Sequence, residues 1–229
     1  ENLTSGSSNV MLGDDCGRLD TENASCVFIG NGAGQGQRAS YVVAIGYEAG
    51  INVINAGNDH NIYIGSQSGY SAGQHEYDTM IGYRAGYDVT NDSGYNVLIG
   101  YNAGYYTASE SNVCIGRDAG NSGDSSLTLS GGNCTLIGKS AGTTLGSGSN
   151  VTCIGNSAEP SSATASNEIT LGNTGITTFR IPGIGITFGD NSSPTDGHVL
   201  TYSSSTGLVT LAAASGGGIS NVVEDTTPQ

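Results

Sequence analysis

With 229 residues the chain has room for one or two domains, but 38 glycines, no tryptophan and 11% charged residues are not the composition of a helical bundle. Six Lys and Arg against 20 Asp and Glu leave a net charge of -14, which argues against nucleic-acid binding, because neutralising phosphates needs clustered basic side chains. No apolar run approaches the ~20 residues that span a bilayer, so membrane insertion is not expected.

From residue 10 onward one phrase dominates: a β-branched run, Ile-Gly, two polar residues, then Ala-Gly. It reads Val27-Phe28-Ile29-Gly30-Asn31-Gly32-Ala33-Gly34 and Ala44-Ile45-Gly46-Tyr47-Glu48-Ala49-Gly50. It returns around Gly65, Gly82, Gly100, Gly116, Gly138 and Gly155, with altered copies at Leu12-Gly13 and Leu171-Gly172. A spacing of about 17 residues marks a repeated structural unit. Disorder, the alternative for a Gly/Ser-rich chain, does not carry periodic Val and Ile. Each copy therefore reads as one coil of an all-β, parallel β-solenoid. About ten such coils, stacked at ~4.8 Å, make a rod of ~45 Å.

Residues one and three before the marker glycine share a strand face. The nearer column is Ile29, Ile45, Ile64, Ile81, Ile99, Ile115, Ile137 and Ile154, and the farther one includes Val27, Val43, Ile62, Val97 and Val113. This β-branched face is expected to form the structural core. The residue between them points the other way and is again mostly apolar, as at Phe28, Tyr63, Met80, Leu98 and Leu136. A strand apolar on both faces must be covered on both, which assigns these five to an interface with copies of the same chain.

The marker glycine turns the corner, having no Cβ. The two residues after it are expected in solvent, and a small residue such as Ala49 or Ala103 returns inward. Insertions belong in the variable segment that follows, as in the longer stretch at 121–133. Cys16, Cys26, Cys114, Cys134 and Cys153 all fill slots otherwise held by small or apolar residues, so they are expected as buried free thiols. No Cys-x-x-Cys pair suggests zinc.

The phrase Asn96-Val97-Leu98-Ile99-Gly100-Tyr101-Asn102-Ala103-Gly104-Tyr105 resembles the head repeats of trimeric autotransporter adhesins. It is still more similar to repeat arrays of phage tail-fibre proteins. The resemblance covers residues 9–175, roughly, and implies left-handed β-roll coils packed or intertwined as a homotrimer, on a virion or a cell surface.

Residues 1–175 are thus read as the solenoid. Over 176–211 the pattern changes to a capping strand at Phe179–Ile186 and a β-hairpin at 194–211, since solenoid ends must be closed. Residues 212–229 read as a Gly-rich linker and tail. Both Pro194-Thr195-Asp196-Gly197-His198-Val199-Leu200-Thr201 and Asn221-Val222-Val223-Glu224-Asp225-Thr226-Thr227-Pro228-Gln229 are again similar to tail-fibre sequences.

No nucleophile-elbow, phosphate-loop or zinc-protease motif is present. His60, His75 and His198 lie far apart in turn-like contexts. Asp14, Asp15, Asp59 and Asp118 are too few for a calcium site, which takes six or more oxygens. Glu48, Glu76 and Glu110 read as turn residues rather than as the paired acids of a glycosidase. No catalytic residue, metal or cofactor is expected. The tyrosines are the better candidates for function. Tyr47, Tyr83 and Tyr101 share the slot after the marker glycine, and Tyr70, Tyr87 and Tyr105 follow the second glycine. They would form two ladders, which either bind sugar rings or clamp successive coils and line the subunit interface.

The combined expectation is a non-catalytic structural and adhesive segment of a phage tail fibre, with copies of itself and host-surface glycans as partners. The alternative is a bacterial surface adhesin or extracellular fibril subunit, and a polysaccharide depolymerase is a weaker third.

Overall fold

Each Ile-Gly or Leu-Gly marker phrase of the repeat forms a short strand that stops at its glycine. In chain order these are β1 (Val10–Leu12), β2 (Val27–Ile29), β3 (Val43–Ile45), β4 (Ile62–Ile64), β5 (Thr79–Ile81), β6 (Val97–Ile99), β7 (Val113–Ile115), β8 (Thr135–Ile137), β9 (Val151–Ile154) and β10 (Glu168–Leu171). The computed structural model describes residues 7–18, 24–36, 38–51, 60–71, 76–89 and 94–178, together with the backbone of 198–203 and 208–213. The ten strands make one parallel sheet in sequence order, which is a β-solenoid. Register follows the repeat: Val27 pairs with Val43, Phe28 with Ala44 and Ile29 with Ile45, and the same columns continue up the sheet.

The turn after each strand needs its glycines for steric reasons. At Gly82, φ is +134°, and a Cβ there would lie 2.4 Å from the Gly100 carbonyl oxygen of the next coil. That close approach is a hydrogen-bond ladder: Gly82 N–H donates to the Ile64 carbonyl at 2.7 Å and Gly100 N–H to the Ile81 carbonyl at 2.8 Å. The second glycine is constrained differently. At Gly69, φ is +60° and a Cβ would meet the Tyr63 ring at 2.3 Å.

That contact identifies the inside of the coil, and it corrects the expected core. Phe28, Tyr63, Met80, Leu98 and Leu136 are fully buried within the single chain, together with Ala33, Ala49, Ala85, Ala103, Ala119 and Ala141. They are the core and not an interface between copies. Conversely Ile29, Ile45, Ile64, Ile81, Ile99, Ile115 and Ile137 are only half-buried on the outer face, and Ile154 is exposed. The physical reason is the direction of the turn. The chain curls toward the side on which the bare second glycine and the small alanine leave room, and the residue two before the marker glycine fills that room. Size variation along its column, Phe28 and Tyr63 flanking Ala44, is how a narrow interior reaches close packing.

A polar ladder lines the same interior, four residues before the marker glycine. The side-chain oxygen of Asn61 accepts the Asp78 N–H at 2.8 Å. Asp78 accepts from Asn96 at 2.6 Å, Asn96 from Asn112 at 2.9 Å, and Asn112 from Cys134 at 2.9 Å. Each buried side chain thus satisfies a backbone donor of the following coil, where an unpaired N–H would cost about 1–3 kcal/mol.

The long segment at 121–133 is absorbed where expected. Its extra residues fold on themselves, Ser126 N–H donating to the Asp124 carboxylate at 2.8 Å, and the chain rejoins the coil at Leu129, which bridges Thr107 in parallel.

The chain divides into two units, Glu1–Thr178 and Phe179–Gln229. In the second, β11 (His198–Ser203) and β12 (Leu208–Ala213) pair antiparallel, Leu200 opposite Leu211. Pairing thus extends past 211 into the start of the expected linker. The capping strand at 179–186 and the tail from 214 lie outside the described residues.

Candidate functional site

The corner after each marker glycine is built identically in successive coils. The residue after the glycine points outward, and its carbonyl accepts the N–H of the second residue in the next coil: Asn102 to Tyr83 at 2.9 Å, Asp118 to Tyr101 at 2.8 Å, Ser140 to Arg117 at 2.8 Å. The second residue is left-handed, with φ of 52° at Arg84, 51° at Asn102 and 57° at Asp118. This ladder puts side chains of one slot directly above one another.

Tyr83 and Tyr101 stack with ring centroids 5.3 Å apart. Tyr70, Tyr87 and Tyr105 form the second expected row, at 4.8 Å for each step. Tyr47 does not join Tyr83, because Ser66 holds the intervening slot. It lies beside Glu48, whose hydrogen bond and charge raise its hydroxyl above the ordinary value. A third row was not expected: Tyr41, His60, Tyr77 and Tyr95 stack at 4.8, 5.2 and 5.2 Å. All four stand five residues before a marker glycine, so the slot alignment that exposed the other rows would have found this one. Each is left-handed, with φ between 60° at Tyr77 and 65° at His60.

Stacking decides what these rows can do. An inner ring such as Tyr87 has a neighbour on each face, so it offers solvent an edge and a hydroxyl rather than an open π-face. Sugar rings that pack face-on need the open face. The inner rings Tyr87, His60 and Tyr77 therefore stiffen successive coils and show solvent their edges, while end rings such as Tyr83 and Tyr101 are covered by their row on one face only. Arg84 is built into this corner. Its guanidinium lies 5.0 Å from the centroids of both Tyr83 and Tyr87, and its Nε donates to Gln67 Oε1 at 2.8 Å. Gln67 Nε2 in turn donates to Glu48 Oε2 at 2.9 Å.

Glu76 and Glu110 are exposed and two turns apart in sequence, and Glu48 is tied into the chain just described. An open concavity at the last coil is lined by Ser157, Glu159, Thr170, Leu171 and Asn173. Its Glu159 accepts from the backbone N–H groups of Thr143 and Thr144 at 3.1 and 3.0 Å, which makes it a strut between coils. Asp14, Asp15 and Asp118 belong to no cluster of metal-ligating side chains among the described residues.

The cysteines are all free thiols; Cys26, Cys114, Cys134 and Cys153 are buried and Cys16 is half-buried. Desolvation pushes the Cys114 thiol up to about 12 and, as the largest cause, the Cys153 thiol up to about 11. Burial also raises the Tyr63 hydroxyl well above its usual 10.0. A thiol reagent at neutral pH is therefore expected to reach Cys16 in the native protein and all five cysteines only after unfolding. The three raised groups share one sign. The folded chain keeps protons that the unfolded chain releases above about pH 9. Stability is complete below that pH and falls as pH climbs toward 11 and 12, which thermal melts across an alkaline series will show.

Comparison with protein-family models, with curated protein sequences and with solved structures gives no match.

Proposed function

We propose that this chain is a non-catalytic, self-associating segment of a fibre that projects from a virion, a phage tail fibre, and that it supports attachment to a host surface. One observation carries the reading: the outer face of the sheet. Two adjoining columns of Val, Ile, Leu and Thr run from β1 to β10, half-buried along most of their length, with Ile62 36% exposed and the end coils more open, Leu12 at 66% and Ile169 at 72%. The strip is ~45 Å long and ~10 Å wide, on the order of 450 Å², the size of the largest apolar patch on a typical protein surface, which is often an interaction site. Parallel sheets are covered on both faces as a rule.

A strand apolar on both faces and enclosed by its own chain on the inner one leaves the outer one for copies of itself. Copies pack through Ile45, Ile64, Ile81, Ile99 and their column. Three is the number that the repeat's resemblance to trimeric adhesin heads and tail fibres implies. Rigidity then comes from stacked coils, and attachment from weak contacts multiplied over coils and chains.

The test is native mass by light scattering. We expect the 23.0 kDa chain to run as a trimer, and Ile81→Glu with Ile99→Glu to run as a folded protomer. A wild-type protomer at micromolar concentration would overturn the reading.

A further inference from the structure

We infer that the corner carrying Tyr83, Arg84, Tyr101, Arg117 and Lys139 binds a linear polysaccharide bearing carboxylates. The inference rests on the attachment role proposed above and names the ligand class. The chain is strongly acidic, with six Lys and Arg in all. Yet Arg84, Arg117 and Lys139 gather on one edge of the solenoid, over the coils of β5, β7 and β8. Tyr83, Tyr101, Arg117 and Lys139 occupy one slot in four consecutive coils, joined by the backbone ladder already described, with Ser157 N–H on the Lys139 carbonyl at 2.8 Å. At ~4.8 Å per coil the ridge is ~15 Å long, enough for a few sugar units.

The side chains are available and oriented. Tyr83 is 39% and Tyr101 49% exposed, the Arg117 side chain 55%, and Lys139 is exposed. Arg84 is held between two tyrosine rings and by Gln67, which lowers the entropy lost when its planar fork meets a carboxylate. Two of the acidic neighbours are committed. Asp118 accepts from Asn102 Nδ2 at 3.2 Å and sits 3.6 Å from Arg117 Nε, and Glu48 is held by Gln67. Tyrosine hydroxyls supply the donors and acceptors that sugar hydroxyls require.

Ring geometry favours a carboxylated sugar polymer over a nucleic acid. Bases bind by stacking on open aromatic faces, whereas Tyr83 and Tyr101 cover one face of each other and the Arg84 guanidinium lies 5.0 Å from the Tyr83 centroid. Sugar hydroxyls and carboxylates need the ring hydroxyls and the three cations instead.

The experiment is affinity electrophoresis and titration of the full chain at low salt against polygalacturonate, dextran sulfate, neutral dextran and oligo(dT). We expect binding to polygalacturonate and none to neutral dextran. Arg84→Gln with Arg117→Gln and Lys139→Gln should weaken it about tenfold or more, the loss of roughly one charge-assisted hydrogen bond or above. Lys139→Glu, at an exposed side chain that does not test folding, should weaken it several-fold, and Arg18→Gln should leave it unchanged. No binding to polygalacturonate, a triple variant that binds like wild type, or tighter binding of oligo(dT) would each overturn the inference. Binding to dextran sulfate alone would overturn the carboxylate assignment. Light scattering on the same samples separates the two readings. An assembled protein that binds no polymer overturns the ridge alone, and a protomer that binds overturns the assembly alone.

Discussion

Gly82→Ala is expected to destabilise the solenoid by about 3 kcal/mol or more, the sum of a strained backbone and a steric conflict that cannot relax cheaply. The φ of +134° is one that L side chains rarely adopt, and the new Cβ would stand 2.4 Å from the Gly100 carbonyl oxygen. That oxygen is backbone, so relief requires the two coils to separate and weakens the Gly100 N–H bond to Ile81 beside it. Coils contact only their neighbours, so the fault breaks a linear chain of interfaces in its middle. Gly123→Ala is the control. Its φ is +73°, also positive, but a Cβ there meets nothing within 4 Å. We expect it to cost about 1 kcal/mol, the backbone term alone. Thermal melts followed by circular dichroism should rank wild type above Gly123→Ala, and that variant well above Gly82→Ala. Equal melting points for the two variants would show that the close approach of marker glycines is not what fixes the coil spacing.

Phe28→Ala is expected to cost about 3–5 kcal/mol, the usual result of emptying a fully enclosed aromatic site. Phe28 is 0% exposed and faces Gly34, whose absent Cβ would lie 2.7 Å from the ring. Flanking alanines cannot collapse into the space. Ile29→Ala, one residue along, should cost the dilute protomer less than about 1 kcal/mol, because Ile29 lies half-exposed on the outer sheet face. Its effect should appear instead in the mass distribution as weaker association. Chemical denaturation at two protein concentrations separates these effects. If Ile29→Ala destabilised the dilute protomer more than Phe28→Ala, the face assignment made from burial would be wrong.

The exchange of faces shows where reading residues alone reaches its limit. The column of Ile45, Ile64, Ile81 and Ile99 is the most uniform and the most β-branched in the chain, and uniform hydrophobicity points to an interior. The true inner face is Tyr63, Met80 and Leu98 together with Asn61, Asp78 and Asn96, which share its parity and are all fully buried. Those polar residues make the inner face read as the wetter one. Their burial makes sense once the coils are stacked, because each side chain takes a backbone N–H from the coil that follows. A partner sixteen or more residues away along the chain is not visible in any single repeat.

The aromatic rows divide in the same way. Shared repeat slots place Tyr70 under Tyr87 and Tyr87 under Tyr105, and the slot five before the marker glycine holds the row Tyr41, His60, Tyr77 and Tyr95. Alignment does not say whether stacked rings show faces or edges to solvent. Ring planes within 1° for Tyr70 and Tyr87 at 4.8 Å answer that for the inner rings, which show solvent their edges.

The residues alone, then, settle the period, the strand positions, the parallel register and the demand for glycine at each corner, because all of these are local and recur with the repeat. Which side of every strand is enclosed by its own chain was decided by three-dimensional closure. A strand apolar on both sides is ambiguous until the backbone turns, and it turns toward Gly34, Gly69 and Gly86, where a missing side chain leaves the space that Phe28, Tyr63 and Met80 occupy.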